Sequence, residues 1–99
     1  MPLFIYIGRD GPHGAERRPD VRPRHLDHIR RLDEDGQIRF AGPLKDDRGA
    51  PCGTVIVMEV EDLARARSVA ENDPYLLEGV FEAVEVFESL QVFPELEEQ

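Results

Sequence analysis

The chain has 99 residues, 40% hydrophobic and 33% charged, which suits one domain with a single core. Its net charge of −9 is uneven: residues 1–49 carry ten basic and nine acidic side chains, residues 50–99 two and twelve. That acidic half argues against nucleic acid and anionic membranes as partners, and no apolar run approaches the ~20 residues of a membrane span.

The run Leu3 to Ile7, stopped by Gly8, reads as a first strand rather than a signal peptide, and apolar residues on both faces make it a central one. Residues 8–20, rich in glycine, proline and charge, read as a mobile loop. Asp20 or Arg22 then opens a helix with Pro23 in its first turn, Leu26, Ile29 and Leu32 at helical spacing, and Gly36 as its stop. His25 falls about 40° from the centre of that apolar stripe and His28 about 100° away, so His25 is expected to face the sheet and His28 to be partly wet.

Gln37 to Phe40 reads as a second strand running into Ala41-Gly42-Pro43-Leu44, followed by a charged loop from Lys45 to Gly53. Thr54 to Val60 is a third strand, and Asp62 caps a helix with Leu63, Ala66 and Ala70 on one face. Asn72-Asp73-Pro74 ends it, because the residue before proline is pushed out of the α region. Tyr75 to Gly79 reads as a turn or short helical piece, and Val80 to Phe87 as the last strand. Residues 93–99 are expected to be a flexible acidic tail on a single domain spanning 1–99.

The order β-α-β-β-α-β predicts an α+β, ferredoxin-like fold with an antiparallel sheet and both helices on one face. The third strand sets Ile56, Met58 and Val60 against Val55 and Val57, and the last sets Val80, Val84 and Val86 against Phe81, Ala83 and Phe87. Helices cover only one of those faces, so a sheet-to-sheet homodimer is expected to cover the other.

Arg22-Pro23-Arg24-His25-Leu26, Gly36, Ala41-Gly42-Pro43-Leu44, Asp73-Pro74-Tyr75 and Gly79-Val80 together resemble the YciI-like (YCII-related) domain family across nearly the whole chain. The resemblance implies a ferredoxin-like subunit of the dimeric α/β-barrel superfamily, alongside muconolactone isomerase-like and chloromuconolactone dehalogenase-like enzymes. It also implies a His–Asp pair, which falls on His25 and Asp73 here. Lys45 to Cys52 offers no serine or threonine, so a hydroxyl that some relatives supply from that loop is not carried over.

A buried imidazole beside a positioned carboxylate is a proton-transfer dyad, suited to proton abstraction beside a carbonyl, lactone isomerisation or halide elimination. The competing reading of His25 is a core histidine satisfied for structural reasons. Gly42 and Pro43 are candidate substrate-binding residues or simply a strand end, and Tyr75 either closes the pocket or packs on Pro74. Arg17-Arg18, with Arg22 and Arg24, either hold a small anion or form a solvated loop. No CxxC, HExxH or GxGxxG pattern supports a metal or nucleotide cofactor, and Cys52, unable to form an internal disulfide, fits a reducing cytoplasm. The expectation is therefore a cofactor-free homodimer with a His25–Asp73 acid/base site for a small carbonyl compound. The alternative is a non-catalytic small-ligand-binding or structural dimer.

Overall fold

The computed structural model describes residues 1–96, and the acidic tail expected over 93–99 therefore lies in part outside the described residues. Strands β1 (Leu3–Asp10), β2 (Ile38–Lys45), β3 (Pro51–Glu59) and β4 (Phe81–Ser89) alternate with helices α1 (Gly14–Glu34), α2 (Leu63–Glu71) and the short α3 (Pro74–Leu77). The strands form one antiparallel sheet in the order β2-β3-β1-β4. This is the ferredoxin-like arrangement, with β1 central as its two-sided apolar pattern requires.

Strand register sorts the apolar residues onto two faces. Phe4 and Tyr6 on β1 pair with Met58 and Ile56 on β3, and all four are buried together with Ile29 and Leu32 of α1 and Ala66, Val69 and Ala70 of α2. A second buried cluster, Val21, Tyr75, Val80 and Phe81, joins the first half of α1 to α3 and the start of β4. On the opposite face Ile5, Ile7, Val55 and Val57 are half-buried, while Phe40 and Phe87 stand exposed on the edge strands.

Two expectations need correction. The two-residue period sets Phe81 on the face opposite Val80, yet both are buried in one cluster with Val21 of α1 and Tyr75 of α3. A register shift between Arg9 and Asp10 pairs Asp10 with Phe81, and the extra residue turns the Phe81 ring inward beside Val80. The mobile loop expected over 8–20 is instead strand as far as Asp10 and helix from Gly14. Ala15-Glu16-Arg17-Arg18 are good helix formers, and Val21 extends the buried stripe to Val21, His25, Ile29 and Leu32. Pro19 and Pro23 are thus inside the helix and withdraw two N–H donors. The carbonyls they strand, on Ala15 and Pro19, belong to exposed residues rather than to the core.

The helix ends are closed by local chemistry. Asp62 accepts the Arg65 N–H as the cap of α2. After α1, Gln37 N–H reaches Leu32 O and Gly36 N–H reaches Asp33 O, each at 2.9 Å, with Gly36 at φ +72°. The same paired pattern closes α3 through Gly79 (φ +80°) and Val80, which returns the chain directly into β4.

An interior proline costs a helix about 3 kcal/mol relative to alanine, partly offset by the restriction it places on the unfolded chain. Pro23 is exposed, so Pro23→Ala is expected to raise stability by about 1–2 kcal/mol, seen as a higher urea midpoint at unchanged slope.

Candidate active site

Asp73 is placed by the sequence that ends α2. Its extended backbone precedes Pro74, the first residue of α3, and its Oδ1 caps that helix by accepting the Tyr75 N–H at 2.9 Å. The same carboxylate, wholly buried, meets His25 Nδ1 at 2.8 Å through Oδ1 and 3.0 Å through Oδ2. Tyr6, on the central strand, donates its hydroxyl to Oδ2 at 2.7 Å. Three elements far apart in sequence thus converge on one carboxylate.

A carboxylate only accepts, so Nδ1 of His25 carries the shared hydrogen, and Nε2 is the ring nitrogen not committed to Asp73. Among the described residues every fully buried side-chain nitrogen or oxygen has a partner, and none bonds Nε2. His25 lines a cavity of about 460 Å³, so Nε2 is open to that space. His28, by contrast, is half-buried and spends its Nε2 on Val69 O at 2.8 Å, tying α1 to α2.

The cavity lies between α1, the β2–β3 half of the sheet and α3. Leu26 and Ile29 wall it from α1, Ala41 and Pro43 from β2, and Thr54 and Ile56 from β3. Ala41 pairs with Ile56 and Pro43 with Thr54, so these residues share the helix-covered face. Gly42 alternates with them, and the Phe40 ring on the open face occupies the place its side chain would take, 3.1 Å from a Cβ there. Only the backbone of Gly42 therefore borders the cavity. A proline at position 43 is compatible with the ladder because β2 is an edge strand.

Tyr75 closes one side as part of a stack. Its ring lies on His25 with centroids 3.9 Å apart and planes 8° from parallel, and its other neighbour, Phe81, meets it edge-on at 5.4 Å. Arg18 lies 4.9 Å from the Tyr75 centroid. Arg18 is itself fixed by two 2.8 Å bonds to Asp10 and a 2.9 Å bond to Gly53 O. Burial opposes the Arg18 charge, but the Asp10 bonds outweigh it and hold the guanidinium above its usual pKa.

The structure brings His25, Asp73, Tyr75, Pro43 and the Gly42 backbone to one place. Sequence reading missed Tyr6, Asp10 and Thr54, and named Arg18 only within an arginine cluster that either holds a small anion or forms a solvated loop. A signal existed: Arg18, Arg22, His25 and Ile29 follow one another at helical spacings, but Pro19 and Pro23 hid the turn that carries the first two. Among the described residues no group of three or more histidines, cysteines or carboxylates is gathered to hold a metal, and no helix is long and apolar enough to cross a membrane.

Both tyrosines resist ionisation. Burial raises the Tyr6 pKa well above its ordinary value of about 10, and the Asp73 charge and hydrogen bond raise it further. Burial also raises Tyr75, against the opposing pull of Arg18 and Arg22. A folded-state pKa above the unfolded value adds stability that is fully present below about pH 10 and lost as pH climbs through the folded pKa. Phenolate absorbance in an alkaline titration is therefore expected to appear only with cooperative unfolding, and a phenolate rising near pH 10 in folded protein would contradict this environment.

The profile of the YCII-related domain family matches residues 2–90. Protein YciI of Escherichia coli O6:H1 is 34% identical over 97 residues, covering 92% of this chain and 99% of that one. An uncharacterised protein of Haemophilus influenzae is 28% identical over 96 residues, covering 91% and 98%. Among solved structures, 5-chloro-2-hydroxyhydroquinone dehydrochlorinase (TftG) of Burkholderia phenoliruptrix, in complex with 2,5-dihydroxybenzoquinone, superposes with a TM-score of 0.73 at 30% identity, covering 86% of this chain and 90% of that one. An antibiotic biosynthesis monooxygenase superposes at 0.58 with 15% identity, over 93% of this chain and 99% of that one, a likeness of fold alone.

Proposed function

The chain belongs to the YCII-related domain family, and we propose that it is a cofactor-independent acid/base enzyme of the dehydrochlorinase or lactone isomerase kind, acting on a small carbonyl or enol compound. The observation that carries this reading is the open Nε2 of His25, in an imidazole whose other nitrogen is bound to a buried, fully hydrogen-bonded carboxylate. The similarity to a dehydrochlorinase supports the elimination chemistry.

In the proposed reaction Nε2 takes a proton from a hydroxyl or from a carbon beside the carbonyl. The electron pair released forms a new double bond, and chloride leaves from the carbon in conjugation with it. Asp73 stabilises the imidazolium, which then gives its proton to water, so the net change is loss of HCl with no oxidant required. In a lactone isomerisation the same nitrogen returns the proton to another carbon. The Tyr75 ring keeps the imidazole plane fixed while charge develops.

His25→Gln keeps side-chain polarity and removes the titrating base. With chlorinated hydroxyquinols and muconolactone-type lactones as trial substrates, wild-type turnover is expected and the variant is expected to lose at least about a hundredfold in kcat, with an unchanged circular dichroism spectrum. Ligand-induced thermal stabilisation without turnover in the wild type would make the protein a binding module. Unchanged turnover in the variant would remove His25 from the chemistry.

The open sheet face supports a sheet-to-sheet homodimer. Ile5, Ile7, Val55 and Val57 alternate with the helix-facing core, and Phe40 and Phe87 flank them in solvent. Sedimentation equilibrium at micromolar concentration is expected to give a dimer, and Val57→Glu, which sets a carboxylate in the middle of that face, to give a monomer. A wild-type monomer would refute this assembly.

A further inference from the structure

We propose that Arg22 is the recognition residue of the cavity and that the ligand it selects is a ring-sized anion with an apolar body, one anionic oxygen resting on the guanidinium. The proposal deepens the acid/base reading, on which it rests for the identity of the site.

The first observation is a local reversal of charge. The protein carries −9 overall, yet the charged and titratable side chains that line the cavity among the described residues are Arg18, Arg22, His25 and Tyr75, with no carboxylate. Asp73 lies behind His25, wholly buried, with its oxygens occupied by Tyr6, Tyr75 N–H and His25. An anion entering the cavity therefore meets basic groups and an apolar wall formed by Leu26, Ile29 and Ile56.

The second observation is a division of labour among neighbouring arginines. Arg17 donates to Glu78 O, Arg24 makes a two-pronged pair with Glu78, and Arg18 is locked on Asp10. Arg22 is exposed and has no ion pair or side-chain hydrogen bond among the described residues. Asp27, the carboxylate that shares its outer groove, is bound to Arg30 at 2.6 Å. Arg18 is thus committed to holding Tyr75, and Arg22 keeps its planar fork of donors for a ligand.

The third observation is position. Arg22 and His25 are three residues apart on α1, neighbours on one helix face, and both line a cavity of about 460 Å³, room for a single six-membered ring. A ligand with its reacting proton at Nε2 carries an oxygen on the far side of the ring to Arg22. Tyr75 lines the same cavity, and the charge of Arg22 acts on its hydroxyl, pulling against the effect of burial.

Calorimetry with benzoate and benzamide tests the proposal, since the two share a ring and a planar head group and differ in charge. Wild-type protein is expected to bind benzoate at least about tenfold more tightly than benzamide, the increment of one charge-assisted hydrogen bond. Arg22→Gln is expected to abolish that preference while leaving benzamide affinity unchanged, and Arg22→Lys to retain part of it. Arg67→Gln, which removes the same charge from an exposed position on α2, is expected to preserve it. Equal affinities in the wild type, no binding of either compound, a preference that survives Arg22→Gln, or one lost in Arg67→Gln would each overturn the proposal. These measurements need no turnover, so anion recognition and acid/base chemistry fail separately: the first on a preference that is absent or independent of Arg22, the second on His25→Gln kinetics.

Discussion

The structure depends on one buried carboxylate. Asp73 is fully removed from water, and a lone carboxylate in that position would cost several kcal/mol. Tyr6 O–H, Tyr75 N–H and His25 Nδ1–H together replace the lost hydration. Each donor comes from a different element, so β1, α3 and α1 are held to one another by the requirement that this charge stay satisfied. The geometry of the candidate site is thereby a condition of folding as well as of chemistry. Removing any one donor leaves the charge under-satisfied, a larger penalty than the net worth of the bond itself.

A second buried polar pair repeats this logic at the rim. Asp10 lies at the end of β1, just where the register shift widens the strand, and Arg18 comes from the part of α1 that precedes its prolines. Their bidentate bond lets Arg18 approach the Tyr75 ring, which in turn lies flat on His25. Asp73 fixes the imidazole through its edge and Tyr75 fixes it through its face. Between them the ring has no freedom to turn Nε2 away from the cavity.

How much of this was legible depended on whether a signal was local. His25 stood out because it occupies an apolar stripe, and Asp73 because Asn72-Asp73-Pro74 both ends one helix and caps the next. Both rest on residues within a turn or two of one another. The alternation in β1 and β3 likewise gave the sheet and its two apolar faces. The start of α1 was hidden because Pro19 and Pro23 are strong breakers in isolation, and only the burial of Val21 against Tyr75 and Phe81 overrides them. Phe81 was misplaced for a related reason, since a strict two-residue period has no means of signalling a bulge. Tyr6 reads as an ordinary strand aromatic, and nothing near it in sequence announces a partner sixty-seven residues away.

Fold alone leaves the chemistry open, because the same sheet and helices carry unrelated activities and function is argued from the site. Here the site is unusually economical in polar groups. The cavity walls are largely apolar, the buried acid is shielded from the ligand by its own hydrogen bonds, and His25 offers one free nitrogen to whatever enters. In the proposed reading that nitrogen handles protons rather than serving as a mere anchor, because an anchor gains from several converging donors. The ligand's polar end is left to the rim, where the guanidinium donors are. In the proposed reading the proton-handling nitrogen and the anion-binding group are separate residues, so the charge of the ligand is met by Arg22 while Nε2 of His25 faces the reacting proton.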